Sequence, residues 1–311
     1  MILQPSTLAE LSEQLAGARQ PVTEVDLRAL DRLIEHTPED MTATVEAGLT
    51  LAAFQKQLAA GGQWLPLDPP KAQELTIARL LASNASGPRR FAYGTARDYV
   101  IGLKAVLADG RIIHSGGKVV KNVAGYDLAK LFIGSRGSLG VIVEATFKLR
   151  PCPAREAFVE CRCQSADWAG DRLDAVLDSE LAPVVVDLHN LASPNFLPWC
   201  MVIGFAGAGE EVDWQLARAR ELGFAAASCL DYEKQFWDVP GDGQAQKVSV
   251  LPSKLIDTAR QLRGPFVARA GNGILYHRDQ MAAPKNEPPL ELTRRLKQSF
   301  DPKNILPEPF A

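Results

Sequence analysis

Histidine is scarce in this chain of 311 residues. There are four, His36, His114, His189 and His277, so proton-transfer and metal chemistry have few side chains to use. The five cysteines, Cys152, Cys161, Cys163, Cys200 and Cys229, include no Cys-x-x-Cys pair. No Cys/His group has the spacing of a zinc or iron–sulfur site, so the chain is expected to carry no metal redox centre of its own. Cys161 and Cys163 are two apart on a strand-like run and would share a face. They read as reduced, buried thiols. The net charge of −3 gives no reason to expect nucleic acid as a partner. No apolar run reaches transmembrane length. Met1-Ile2-Leu3-Gln4-Pro5 lacks the basic start and apolar core of a signal peptide, so the expected location is inside the cell. Repeats and low-complexity tracts are absent too. What remains, 46% apolar and 23% charged residues, is the composition of a soluble globular protein long enough for two cores.

Periodicity and punctuation give the elements. Thr7-Leu8-Ala9-Glu10 reads as a capping box opening a helix with Leu8, Leu11 and Leu15 on one face. Strand-like runs follow at 23–27, 33–36 and 42–47. A helix spans 50–60 and is closed by Gly61-Gly62. A short helix at 76–83 leads into a loop at Asn84. Residues 100–108 alternate as a strand, Asp109-Gly110 turns, and 111–115 return. A helix at 127–133 and a long strand at 139–149 complete a first domain, 1–150. Pro151 and Pro153 mark the boundary. The second domain, 151–311, reads as strand 157–163, helix 166–178, strands 183–188 and 200–205, helix 210–222 and strand 225–230. This βαββαβ order predicts a compact α+β unit with an antiparallel sheet. A strand at 247–251, a helix at 253–262 and a strand at 265–270 extend it. A C-terminal helix runs from Pro289 to Phe300.

Three loops of small residues separate strand-like runs between 64 and 149: Ala82 to Gly87, Gly116-Gly117, and Gly134 to Gly140. Without bulky Cβ substituents, a backbone can approach a ligand closely and present N–H groups to phosphate. Asn84 and Ser86 tolerate turn geometry and donate side-chain hydrogen bonds, and Gly87 permits close approach. A plain helix-to-strand turn accounts for the same residues. Arg89, Arg90 and Arg97 form a basic cluster nearby. It reads either as charge compensation for a phosphate or as a solvated face paired with Asp98. Lys118, Lys121 and Lys130 leave the same two readings. The five tryptophans are scattered and read as packing rather than a ligand cage.

Several motifs are strung together at one spacing: Pro66-Leu67-Asp68-Pro69, Asn84-Ala85-Ser86-Gly87, Tyr93-Gly94-Thr95-Ala96-Arg97-Asp98, Gly125-Tyr126-Asp127-Leu128, Gly134-Ser135 and Leu139-Gly140-Val141-Ile142. The string resembles the FAD-binding domain of the vanillyl-alcohol oxidase / p-cresol methylhydroxylase superfamily and, within it, the E subunits of bacterial glycolate oxidases. The resemblance continues more weakly at Arg269 to Leu275 and Phe300 to Leu306. It implies an α+β fold: a p-cresol methylhydroxylase-type FAD-binding domain of two subdomains, then a small cap. It implies FAD as cofactor, contacted by Pro66, Asn84, Ser86, Gly87, Tyr93, Gly94 and Ile142. No histidine or cysteine stands where a covalent flavin link would form, so the FAD is expected to be non-covalent. His277, following Gly271-Asn272-Gly273, is the candidate catalytic base. The implied reaction is oxidation of glycolate or another 2-hydroxy acid by hydride transfer to the flavin. The implied partners are a larger catalytic flavoprotein and an iron–sulfur subunit. The implied location is the cytoplasm, including the inner face of the membrane through those partners.

The chain departs from the family pattern in three places. A glycine-rich Arg-Gly-Gly-Gly-Thr-like loop is expected between the first helix and the strand at Glu24. Here Gly17-Ala18-Arg19-Gln20-Pro21 runs straight on. Ala78-Arg79 stands where the family has two glycines, and Pro307-Glu308-Pro309 replaces an Asn-Pro-Gly ending. These departures support a second reading, a non-catalytic structural subunit with an eroded flavin site.

Overall fold

The computed structural model describes residues 1–117, 127–191, 198–239, 245–279 and 290–308. The chain forms two compact units. The first holds 1–86, 94–117, 127–152 and 290–308. The second holds 87–93 and the described residues of 153–279.

Threonine starts three helices of the first unit. Thr7, Thr50 and Thr76 each accept a hydrogen bond from the third helical N–H, of Glu10 (3.2 Å), Ala53 (3.3 Å) and Arg79 (3.3 Å). Each thus satisfies one donor that the first turn leaves open. The helices Leu8–Gly17, Leu51–Ala59 and Ile77–Ser83 follow. A five-stranded antiparallel sheet takes the order Leu33–Thr37, Thr42–Glu46, Val141–Lys148, Val100–Val106 and Ile112–Gly116. Ile2–Leu3 pairs in parallel with Glu24–Val25. Leu11, Leu15, Phe54, Leu58 and Phe147 are fully buried, and the Phe54 and Phe147 rings lie 5.6 Å apart. The 290–308 tail belongs to this unit, and Ile305 O accepts the Val22 N–H at 2.7 Å.

The second unit is a seven-stranded antiparallel sheet. Its order is Ala226–Ser228, Arg155–Cys163, Trp199–Gly207, Val185–His189, Phe266–Arg269, Ile274–His277 and Gln246–Ser249. Alternate residues of a strand face opposite sides. Met201, Ile203 and Phe205 pack with helices Ala166–Leu177, Gly209–Glu221 and Leu255–Arg260. Cys200 and Val202 pack on the other side with Tyr232 and Phe236 of helix Asp231–Trp237. Burying each of the large apolar side chains contributes about 1.5–3 kcal/mol. The fold is therefore α+β with antiparallel sheets, as the element order predicts. Among the described residues no helix is long and apolar enough to cross a membrane.

Candidate flavin site

The first unit brings the Asn84 loop and the Gly134 loop side by side. Asn84 ends helix Ile77–Ser83 in the left-handed conformation, φ 49°, which asparagine tolerates better than branched residues. Leu81 O and Ala82 O at the end of that helix accept the N–H groups of Gly134 (2.9 Å) and Arg136 (2.8 Å). Gly134 (φ 88°) sits so close that a Cβ there would lie 3.6 Å from the Asn84 Cβ. Arg97 reaches the same loop and donates to Ile133 O at 2.7 Å.

Of the proposed contacts, Pro66, Asn84, Ser86, Gly94 and Ile142 lie in the first unit, and Gly87 and Tyr93 in the second. Pro66 is buried in a tight turn closed by Leu67 N–H to Leu65 O at 2.7 Å, and the Gln55 amide braces both carbonyls. Ser86 and Ile142 are buried. Gly94 has φ 81°, and a Cβ there would lie 2.5 Å from Asp98 Oδ2, the oxygen that caps Thr95 N–H at 2.8 Å. Only glycine fits that position without moving the cap. Gly125, Tyr126, Lys118, Lys121, Pro289 and Pro309 lie outside the described residues.

A cavity of about 190 Å³ opens beside Ile142. Its walls come from strand Glu24–Val25, from Ala78, Arg79 and Ala82 of one helix, from Arg136 to Ile142, and from Leu306 and Pro307 of the tail. Arg79 was legible as a cation that a phosphate would accept, whereas the tail and Arg136 were not legible as part of the site. Nothing local in 305–307 says that it returns to Val22. Two buried polar atoms on either side of Gly134, Asn84 Oδ1 and Ser135 Oγ, have no hydrogen-bond partner. Buried polar groups are normally paired, so these two have hydrogen-bonding capacity to offer a polar ligand. A cradle of small residues, orphaned polar atoms and an apolar slot with cations fits FAD. A larger hollow of about 420 Å³ lies elsewhere in the unit. It is lined by the pairs Arg32–Glu46 (2.7 Å) and Lys104–Glu144 (2.6 Å). Their charges are already matched, and the Arg32 guanidinium holds the Glu46 carboxyl below its ordinary value.

The basic cluster resolves differently residue by residue. Arg89 makes a bidentate pair with Glu156, at 2.8 and 2.5 Å, inside the second unit. Arg97 bonds the Gly134 loop, while Asp98 caps its own helix. Lys130 pairs with Asp127 at 3.1 Å.

In the second unit His277 ends strand Ile274–His277 with no exposed surface. Its Nδ1 accepts the Asp279 N–H at 3.2 Å, which places the ring proton on Nε2. Nε2 is buried and unpartnered, and burial lowers the ring's pKa. An Nε2–H is a donor, so in this state His277 does not offer a basic nitrogen to a substrate.

A buried ionic cluster lies elsewhere in this unit. Arg269 is 1% exposed; its Nη1 bonds Asp187 Oδ2 (2.5 Å) and Glu233 Oε1 (2.7 Å), and its Nη2 bonds Glu233 Oε2 (2.8 Å). Tyr232 OH donates to Asp187 Oδ2 at 2.7 Å, and the His189 ring stacks on Tyr232 at 4.5 Å. Two carboxylates share one guanidinium. Burial, with Glu233 adding to it against the pull of Arg269, pushes the Asp187 carboxyl up to about 7. Burial pushes His189 down to about 4.

Comparison with known proteins follows the same division. Residues 7–116 match the family model described as FAD binding domain. Glycolate oxidase subunit GlcE of Escherichia coli (strain K12) is 28% identical over 326 aligned residues, covering 94% of this chain and 89% of that protein. Glycolate oxidase subunit GlcD of Bacillus subtilis (strain 168) is 36% identical over 168 residues, 54% of this chain. A D-lactate dehydrogenase of Archaeoglobus fulgidus is 42% identical over 142 residues, 44% of this chain. The chain spans only about a third of the length of these two, 35% and 31%. Among solved structures, alkyldihydroxyacetonephosphate synthase superposes with a TM-score of 0.73 at 17% identity. It covers 98% of this chain and 76% of that one, a likeness of fold alone. Residues 7–116 thus match an FAD binding domain, with FAD as its cofactor, and the chain is similar over nearly its whole length to glycolate oxidase subunit GlcE.

Proposed function

We propose that the chain is the FAD-binding subunit of a glycolate oxidase-like complex that oxidises a 2-hydroxy acid. The observation that carries this reading is the pairing of the Asn84 and Gly134 loops, with orphaned Asn84 Oδ1 and Ser135 Oγ, beside the cavity at Ile142. The relatives named for glycolate oxidase and D-lactate dehydrogenase support the substrate class. When bound, FAD supplies the hydride-accepting chemistry. The protein's part is to bind and orient it. Pro66, Asn84, Ser86, Gly94 and Ile142 of the first unit are assigned to that task, and Arg97 stiffens the Gly134 loop. The FAD is assigned as non-covalently held, since the sequence places no cysteine or histidine where a covalent flavin link would form.

Proton transfer from the substrate is assigned to a partner subunit. His277 is buried with its proton on Nε2, and a base must come within about 2.6–3.2 Å of the proton it takes. The partners are a larger flavoprotein subunit resembling GlcD and an iron–sulfur subunit that relays electrons, with the assembly in the cytoplasm or at the inner membrane face. The test is turnover of glycolate and D-lactate with a dye acceptor, by the chain alone and with its partners. Turnover only in the assembled state is expected. Robust turnover by the isolated chain would overturn the subunit reading. A flavin-free chain that the complex still requires would establish the structural-subunit reading instead.

A further inference from the structure

The cavity beside Ile142 joins two kinds of surface. Val22, Val25, Leu27 and Ile142 make an apolar slot, and Arg79 and Arg136 stand on its walls. An apolar slot bordered by guanidinium groups suits a heteroaromatic base that carries a phosphate. At about 190 Å³ the cavity lies below the roughly 300–1,000 Å³ of a site for a whole drug-sized ligand, so it takes one end of a dinucleotide. Arg79 Nη2 is 3.0 Å from Glu24 Oε1, and both residues line the cavity. Their side chains are 68% and 49% exposed. Such a pair is weak and is readily exchanged for a charge-assisted bond to phosphate.

Resting on the flavoprotein reading, we propose that this cavity holds the adenylate end of FAD. Glu24 is an internal competitor that the phosphate displaces from Arg79. Arg79 thereby supplies a positive charge to a phosphate-binding site that lacks a glycine-rich loop between Gly17 and Pro21. Arg79 is suited to the exchange because its backbone is fixed, with its N–H bonded to Thr76 Oγ1 at 3.3 Å, while its side chain is largely exposed and held by Glu24 alone among the hydrogen bonds to its guanidinium that the structure shows.

The test is calorimetric titration of the full, flavin-stripped chain with FAD, AMP and riboflavin. FAD and AMP are expected to bind, and riboflavin to bind far more weakly. Arg79→Ala should weaken FAD and AMP about 10- to 100-fold, the loss of one or two charge-assisted hydrogen bonds, and leave the apo melting temperature unchanged. Glu24→Gln should tighten both by up to about fivefold, the range of an exposed ion pair, and should do nothing in the Arg79→Ala background. Equal affinities in wild type and Arg79→Ala overturn the proposal, as does a Glu24→Gln effect that persists without Arg79. FAD binding that ignores Arg79 sinks this inference and leaves the flavoprotein reading intact. AMP binding that depends on Arg79 in a chain that refuses FAD sinks the flavoprotein reading and the assignment to FAD with it, and leaves only an adenylate contact at Arg79. A wild-type chain that binds neither sinks both.

Discussion

Lys297 and Asp301 form a buried ion pair one helical turn apart, Nζ to Oδ2 2.6 Å. The same Nζ donates to Leu306 O (2.8 Å) and Ser138 O (3.3 Å). Asp301 in turn accepts the N–H groups of Ile305 (3.1 Å) and Leu306 (2.8 Å). Four of these hydrogen bonds fold residues 297–306 onto one another and the fifth, to Ser138 O, ties them to the loop that ends at Gly140; Leu306 is a wall of the candidate flavin cavity.

Removing one partner strands the other as a buried charge, at about 3–5 kcal/mol. Lys297→Met is expected to lower unfolding stability by that amount in urea titration and to weaken FAD binding through the displaced Leu306 wall. Lys297→Met with full stability and full FAD affinity would contradict the link between tail and site.

Asn84 separates a ligand contact from a structural one. Asn84→Gly keeps the left-handed conformation at φ 49° and removes the orphaned Oδ1. Apo stability should stay within about 1 kcal/mol of wild type, because glycine is at home at this helix end. FAD affinity should fall about tenfold. Asn84→Leu, with a branched chain forced into that conformation, should lose both about 1–2 kcal/mol of stability and the flavin. Flavin titration beside thermal melting checks both variants. Unchanged FAD affinity in Asn84→Gly would remove Asn84 from the site.

Much of the fold was legible because local signals and tertiary structure agree. Threonine caps at 7, 50 and 76 and the alternation of 141–148 are local, and the elements formed where those signals stood. Helix Asp231–Trp237 was not read, because seven mostly polar residues with Tyr232 and Phe236 as their buried pair carry little periodicity. Strand Ile274–His277 was also missed, since Gly271-Asn272-Gly273 punctuates it like a loop. The partners of Arg269 lie 82 and 36 residues away, so no window could show that its charge is neutralised. Glu24 and Arg79 are 55 apart, and their pairing depends on how strand and helix meet. The motif string at 66–142 was legible as a whole because its meaning lies in spacing, whereas the cavity walls from the tail were not.

Opposed titrations in the second unit give a pH prediction. The Asp187 carboxyl, raised to about 7, keeps a proton that the unfolded chain releases near 4, so its contribution to stability is lost as pH rises from about 4 through 7. His189, lowered to about 4, refuses a proton that the unfolded chain takes below about 6.5, so its contribution is lost as pH falls through that window. Each slope is at most about 1.4 kcal/mol per pH unit, and the two oppose each other between about 4 and 6.5. Asp187→Asn should therefore lose stability on acidification across this window, while His189→Gln should gain it relative to Asp187→Asn. Urea titrations at several pH values compare the two. Parallel profiles would show that neither group titrates as its burial requires.

His277→Asn should lower turnover of the assembled complex less than about tenfold, because the ring has no exposed surface and its Nε2 carries the proton. Steady-state kinetics with a dye acceptor read this out. A loss of the 10²–10⁴-fold that general-base removal brings, at unchanged thermal stability, would return His277 to the chemistry.

The central claim is that this chain holds FAD in its first unit. It is tested most directly by the flavin content of the full chain after purification, followed by FAD titration of any flavin-free fraction. The account predicts a yellow protein approaching one FAD per chain, released by heat or acid. A colourless chain that neither quenches flavin fluorescence nor shifts its melting temperature with added FAD would contradict it.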